Sequence, residues 1–288
     1  MQEGTAPEQI LRAMTTEDIA GGLRLSHTSG WNQLEDDWRA FIGSPGSGGW
    51  LVERGGNIIG TAAYMRYDAL AWVAMMLVDP AERRAGLGAR LLGAALEALG
   101  GAPCVGLDAT PAGRPLYLRF GFVDNCELVR TKTIVDGARF QGTGGRARAM
   151  LLSDLAAVGL RDRGIFGADR SRLLAALFHR APECAWIVEE AGSVKGYTFG
   201  RPGWRYQHLG PVAAEDAEVA REMVSACLSG LAGKSLAMDV SRLDGEWLGF
   251  LKSAGFVEER PFTRMFLRGH VHPGIPARQY AIAGPDFA

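Results

Sequence analysis

Apolar spacing changes period several times in the first half of the chain, and each change marks an element. Ile19 and Leu23 follow the cap candidates Thr15 and Thr16, and Glu17 and Asp18 suit the positive end of a first helical turn, so a helix starts there. Trp50 to Glu53 and Ile58 to Arg66 read as two strands joined through Gly55-Gly56-Asn57, a hairpin signal. Ala71 to Val78 is apolar on both faces, which predicts a strand central in its sheet, ended by Pro80. Leu87, Leu91, Leu92, Ala95, Leu96 and Leu99 recur at helical spacing, and Gly100-Gly101 closes that helix. Cys104 to Leu107 then reads as a strand, Pro115 to Phe120 as a short helix, and Phe122 onward as a last strand. The order predicts an α/β fold with a mixed, mostly antiparallel sheet flanked by helices.

The same pattern occurs twice. Arg12-Ala13-Met14 with Asp18 matches Arg148-Ala149-Met150 with Asp154, and Trp50 to Arg54 with Gly60 matches Trp186 to Glu190 with Gly196, both at an offset of 136. Gly121-Phe122-Val123 returns as Gly255-Phe256-Val257 at an offset of 134. Two related halves are expected, residues 1–137 and 146–288, with the seam at Asp136 to Gly145, where turn residues replace periodic apolar ones. On that expectation, residues 1–142 hold a complete unit.

Composition narrows the partners. The chain has 288 residues, 31 basic against 32 acidic side chains and a net charge of -1, which gives no long-range pull toward nucleic acid or an anionic membrane. Its longest apolar stretches, such as Ala69 to Val78, are about half of what a bilayer span needs, and Met1 opens no basic-then-apolar signal segment, so a soluble protein is expected. Cys104, Cys126, Cys184 and Cys227 are far apart, without Cys-x-x-Cys or metal spacing, and read as buried thiols in a reducing cytoplasm. No metal is implied.

The candidate chemistry lies between the third strand and the following helix. Val78-Asp79-Pro80-Ala81-Glu82-Arg83-Arg84-Ala85-Gly86-Leu87-Gly88 is a strand end, a turn and a helix start, with two arginines and two glycines. Amides at a helix N-terminus converge on an anion and glycine permits close approach, so this turn suits a phosphate. A dinucleotide fingerprint fails because Leu91 stands where a third glycine is required, and a Walker loop fails because Leu228 stands five before Gly233.

The pattern Arg83-x-x-Gly86-x-Gly88 behind Val78-x-Pro80 resembles the pyrophosphate motif of the GNAT superfamily of N-acetyltransferases. Thr110-x-x-Gly113-x-x-Leu116-Tyr117-x-Arg119-x-Gly121-Phe122 resembles that family's second motif, with Thr110 and Gly113 where Asn and Ala are frequent. The resemblance covers Ile10 to Ile134 well. The repeat and Ala281-Ile282-Ala283-Gly284-Pro285 make the whole chain similar to a bacterial subgroup with a degenerate second domain. It implies two tandem GNAT-like domains and acetyl transfer from acetyl-CoA to an amine. The amides of Arg83, Arg84, Ala85, Gly86, Leu87 and Gly88 would hold the coenzyme pyrophosphate, with Thr110 and Gly113 also on the coenzyme side. The backbone of Leu77 and Val78 would pair with the pantetheine arm and polarise the acetyl carbonyl, and Tyr117 would protonate the departing thiolate. Trp31, Asn32, Glu35 and Asp36, with Asp37 and Trp38, fall where the resemblance places acceptor contacts. A solvated helix face with core tryptophans is the other reading of that segment.

In the second half Pro211-Val212 aligns with Leu77-Val78 at the later offset, Glu215, Asp216 and Glu218 replace the arginines, and Leu251 takes the place of Tyr117. No second coenzyme site is expected; this half is either structural or a wall of the acceptor pocket. Phe166 to Arg170 reads as a loop capping the next helix, and neither His27 nor His208 is assigned as a base. A non-catalytic acyl-CoA sensor or scaffold stays open as an alternative.

Overall fold

The computed structural model describes residues 8–142, 145–268 and 274–288. Thr143 and Gly144 of the expected seam lie outside the described residues. The chain divides into two compact units, one made of residues up to Arg66 with Ala71–Ala102, the other of Tyr67–Leu70 with Pro103–Ala288.

The first unit contains β1 (Gln9–Ala13), α1 (Ile19–Thr28), α2 (Glu35–Ile42), β2 (Gly48–Arg54), β3 (Asn57–Arg66), β4 (Ala71–Val78) and α3 (Leu87–Ala98). β1 to β4 form an antiparallel meander. The apolar stripe of α3, Leu87, Leu91 and Ala95, is buried against Val52, Ile59 and Ala62. Burying Leu87 and Leu91 contributes about 1.5–3 kcal/mol each, which fixes the start of α3 relative to the end of β4.

The second unit contains β5 (Val105–Ala109), α4 (Arg114–Arg119), β6 (Val123–Ile134), β7 (Arg148–Ala149), α5 (Leu155–Phe166), α6 (Ser171–Arg180), β8 (Trp186–Glu190), β9 (Ser193–Arg201), β10 (Gln207–Ala214), α7 (Ala217–Ser229), β11 (Ser235–Ser241), α8 (Gly245–Ser253), β12 (Val257–Leu267) and β13 (Gln279–Ala281). Its sheet runs β5-β12-β6-β11-β10-β9-β8-β7, with β13 on β10. α7 buries Val219, Met223 and Val224 in a core with Val129, Met238 and Val240.

The repeat is visible in the bonding. Arg12 bridges Asp18 (2.8 Å) to Glu53 (2.8 Å), and Arg148 bridges Asp154 (2.7 Å) to Glu189 (3.0 Å), the same three positions at the same offset. The register slips between Val52 and Glu53 in one half and between Val188 and Glu189 in the other. Asp18 also accepts from the Thr15 amide at 2.8 Å, and Arg12 holds its carboxyl down at about 2. Asp154 accepts likewise from Leu151 at 2.7 Å.

The compact units nevertheless do not follow the repeat. β12, from the second half, is inserted between β5 and β6 of the first and pairs antiparallel with both, while β6 pairs with β11 over Ser235↔Ile134 to Ser241↔Leu128. The last strand of each half is thus hydrogen-bonded to the other half's strands. Residues 1–142 therefore lack β11 and β12, the second-half strands that pair with β5 and β6.

Candidate functional site

β4 ends in a turn with defined bonding. The Asp79 amide donates to the Ile59 carbonyl at 2.9 Å, and its carboxylate accepts from the Ala81 amide at 3.1 Å. Backbone groups alternate sides along a strand. Leu77, opposite Thr61, therefore turns its amide and carbonyl toward β3, and Val78 presents its own on the opposite side. Of the pair expected to meet a pantetheine arm, only Val78 has its backbone directed away from β3. β4 also carries an irregularity at Met75, φ 50°, where Thr61↔Leu77 shifts to Ala63↔Ala74.

Beyond Asp79 the acidic side chains are held: Glu82 pairs with Arg54 at 2.7 Å and Asp79 lies 3.7 Å from Arg24. Arg83 and Arg84 are exposed and form no ion pair among the described residues, although Arg83 Nε reaches the Val78 carbonyl at 3.4 Å. Arg84 (φ 69°) and Gly86 (φ 78°) both adopt the left-handed conformation, the geometry from which anion-binding nests are built. Gly86 is the N-cap of α3 and offers its first turn no side-chain acceptor. Among the described residues the amides of residues 83–88 carry no backbone hydrogen bond, so they and the positive end of the helix dipole are left without a backbone acceptor.

The second half closes the corresponding position. The Glu215 amide donates to Lys195 O at 2.9 Å, as Asp79 does to Ile59, so Ala213-Ala214, and not Pro211-Val212, corresponds to Leu77-Val78. α7 then begins at Ala217, leaving only two residues where the first half has eight, so the offset of 134 seen at Gly255-Phe256 does not hold before this shorter turn. The Asp216 side chain accepts from the Val219 amide at 3.0 Å and caps α7. A carboxylate of the chain already occupies the position an anion would take.

Tyr117, on α4, is buried with its ring edge-on to Phe122, centroids 6.0 Å apart. Burial pushes its phenol well above the usual range, and its hydroxyl has no hydrogen-bond partner among the described residues. Thr110 holds the turn before α4: its hydroxyl accepts from the Gly113 amide at 3.2 Å. A β-carbon at Gly113 would sit 3.1 Å from Tyr117 Cε2, so glycine gives the ring its place. The Phe122 amide donates to Tyr117 O at 3.1 Å and the Phe256 amide to Leu251 O at 2.9 Å, which puts Leu251 at the position equivalent to Tyr117.

The expected acceptor residues are mostly engaged locally. Trp38 is fully buried, donating from Nε1 to Ser26 Oγ at 3.2 Å; Asn32 is buried and Trp31 half-buried. Glu35 pairs with Arg39, and Asp37 caps Leu34 at 2.8 Å, while Asp36 is exposed. The 166–170 loop does precede α6, but Asp169 supplies the cap, accepting from Ser171 at 2.9 Å, while Arg170 is buried against Asp162. Cys104, Cys184 and Cys227 are buried and Cys126 half-buried, all as free thiols; Cys227 Sγ lies 3.9 Å from the Glu183 carbonyl oxygen. His27 contacts the Gln33 carbonyl at 3.1 Å, and buried His208 contacts Asp239 at 3.0 Å, burial lowering its pKa. Among the described residues no group of three His, Cys, Asp or Glu side chains could hold a metal, and no helix is long and apolar enough to cross a membrane.

Two family models, each described as an acetyltransferase (GNAT) domain, match residues 45–124 and 159–281. The chain belongs to the GNAT acetyltransferases. It is an acyltransferase with two GNAT domains in tandem. It is 26% identical over 221 residues to the uncharacterized N-acetyltransferase YitH of Bacillus subtilis, covering 75% of this chain and 77% of that one. A putative acetyltransferase from Pyrococcus horikoshii has a similar fold (TM-score 0.79, 19% identity, 100% of this chain and 99% of that one). So does a tandem GNAT protein from the clavulanic acid biosynthesis pathway (TM-score 0.62, 13% identity, 90% and 98%).

Proposed function

We propose that this GNAT protein transfers an acetyl group from acetyl-CoA to a primary amine of a small molecule or peptide, by direct attack in a ternary complex. The observation that carries this reading is the uncapped start of α3 beside exposed Arg83 and Arg84, against the carboxylate-capped start of α7. Residues 83–88 would take the coenzyme pyrophosphate on their free amides, and only the first half would bind coenzyme. The Val78 backbone would align the pantetheine arm and polarise the acetyl carbonyl. A neutral amine attacks a thioester without a covalent enzyme intermediate, so the protein has to supply position, oxyanion stabilisation and an acid. Tyr117 is the proposed acid: a phenol kept protonated by burial, with its hydroxyl uncommitted. Thr110 and Gly113 would act on the coenzyme side chiefly by shaping the turn that seats Tyr117. Trp31, Asn32, Glu35 and Asp36 are proposed on the acceptor side by the resemblance alone. No metal has a step in this scheme. The four free thiols support a reducing, cytoplasmic setting, and the near-zero net charge supports a small-molecule or peptide partner over nucleic acid or a membrane.

The test is thiol release from acetyl-CoA over a panel of primary amines, run beside coenzyme binding. Turnover with at least one amine is the expected result. Tight binding with no turnover across the panel would instead favour an acyl-CoA sensor.

A further inference from the structure

One face of the second unit's sheet carries a row of charged side chains set by register. Arg260 of β12 stands opposite Arg130 of β6, and Arg130 opposite Asp239 of β11. Asp239 is fully used, taking Arg130 Nε and Nη2 at 2.8 and 2.7 Å and His208 Nε2 at 3.0 Å. Farther along, Arg201 lies opposite His208 and pairs with Asp286 at 2.7 Å. Lys132, two residues beyond Arg130 on the same face, is paired with Glu259. With Arg130, Arg201, Arg260 and Lys132 the row holds four cations against three carboxylates, Asp239, Asp286 and Glu259, each of the three ion-paired.

Arg260 is the cation left over. It is half-buried, and its Nε is shut off from solvent with no hydrogen-bond acceptor. It forms no ion pair among the described residues; its guanidinium lies over the Phe262 ring at 4.9 Å, a ring that Arg130 also covers at 5.3 Å. Arg130 donates its remaining Nη1 to Tyr206 Oη at 2.5 Å. Burial and the facing Arg130 both press the Arg260 pKa below its ordinary value. Like charges directly opposed across strands destabilise a sheet, and a desolvated cation without a partner costs more. The Phe262 ring and the nearby Asp239 and Glu259 carboxylates offset part of this cost, but no acceptor takes Arg260 Nε.

We propose that this face of the second unit is a binding site for a small carboxylate, with Arg260 as its fork and Arg130 and Tyr206 beside it. A carboxylate matches on two counts: its planar oxygens take a guanidinium bidentately, and its single negative charge equals the one uncompensated positive charge of the row. A dianionic phosphate would leave a charge unpaired. None of these residues belongs to the loop at 83–88, and the proposal does not rest on the reading of that loop.

The test uses the full chain, with sodium succinate as probe and sodium phosphate and sodium chloride as controls at matched ionic strength, followed by calorimetry and thermal unfolding. Succinate should bind saturably and raise the melting temperature above the chloride control, with phosphate weaker. Arg260→Gln should weaken succinate binding by about tenfold or more, while melting no lower than the native chain without anion, because the opposed cation is gone. Arg260→Lys should retain part of the affinity. Succinate behaving as chloride does, undiminished binding by Arg260→Gln, or a lower melting temperature for both variants would overturn the site. Preference for phosphate would overturn the carboxylate assignment.

Discussion

Replacing Tyr117 by phenylalanine separates chemistry from packing. The hydroxyl has no hydrogen-bond partner among the described residues, so its removal orphans nothing, and the edge-on contact with Phe122 at 6.0 Å is retained. Stability should therefore change by no more than about 0.5 kcal/mol. If the phenol protonates the leaving thiolate, kcat should fall about 10²-fold, equivalent to roughly 2.7 kcal/mol of barrier, with coenzyme affinity nearly unchanged. The sign with pH is fixed as well. Burial raises the Tyr117 pKa, so the acid stays protonated throughout the neutral and mildly alkaline range. The rate should rise with pH as the acceptor amine loses its proton, with no alkaline fall below about pH 10. The variant should keep that shape on a lower plateau. The assay is chromogenic thiol release under saturating acetyl-CoA, with melting temperatures measured in parallel. An unchanged kcat would refute the acid role and leave Tyr117 as a core aromatic.

The Arg12–Asp18–Glu53 latch should make stability fall in acid. Asp18 titrates near 2 in the folded chain against an ordinary 3.8, so its contribution, about 2 kcal/mol, is present above pH 4 and lost as pH falls through 2. Asp18→Asn should remove that difference in denaturant titrations at pH 7 and leave little to lose at pH 2; equal acid sensitivity in both proteins would contradict it. Residues 1–142 expressed alone should be insoluble or lack cooperative unfolding, because β5 and β6 lose β11 and β12 as partners; a soluble fragment with a sharp melting transition would show that the exchanged strands are dispensable.

Local features were legible in the sequence because local physics decides them. Ala71–Val78 and the α3 stripe emerged as expected, since a continuous apolar run bounded by Pro80 and a 3.6-residue period have few other solutions. The repeat was legible because Arg12, Asp18 and Glu53 recur as Arg148, Asp154 and Glu189. The strand exchange was not, because alternation along β6 and β12 says which face is buried but not which strand lies alongside. For the same reason the Arg130–Asp239–His208 cluster stayed hidden: its members lie 31 and 109 residues apart and meet only through register. Leu77 and Val78 read alike as a strand end, and only the Asp79 to Ile59 bond tells which of them turns its backbone to β3. The shortened turn before α7 was blurred by a change of offset that only pairing can place.

Counting coenzyme sites tests the central claim, that one half of the tandem binds coenzyme, most directly. Titration calorimetry of the full chain with coenzyme A should give one site per chain, abolished or severely weakened by Arg83→Glu, because uncapped amides at 83–88 and exposed Arg83 and Arg84 precede α3, while Asp216 caps α7. Two equivalent sites, or one site indifferent to Arg83→Glu, would contradict it.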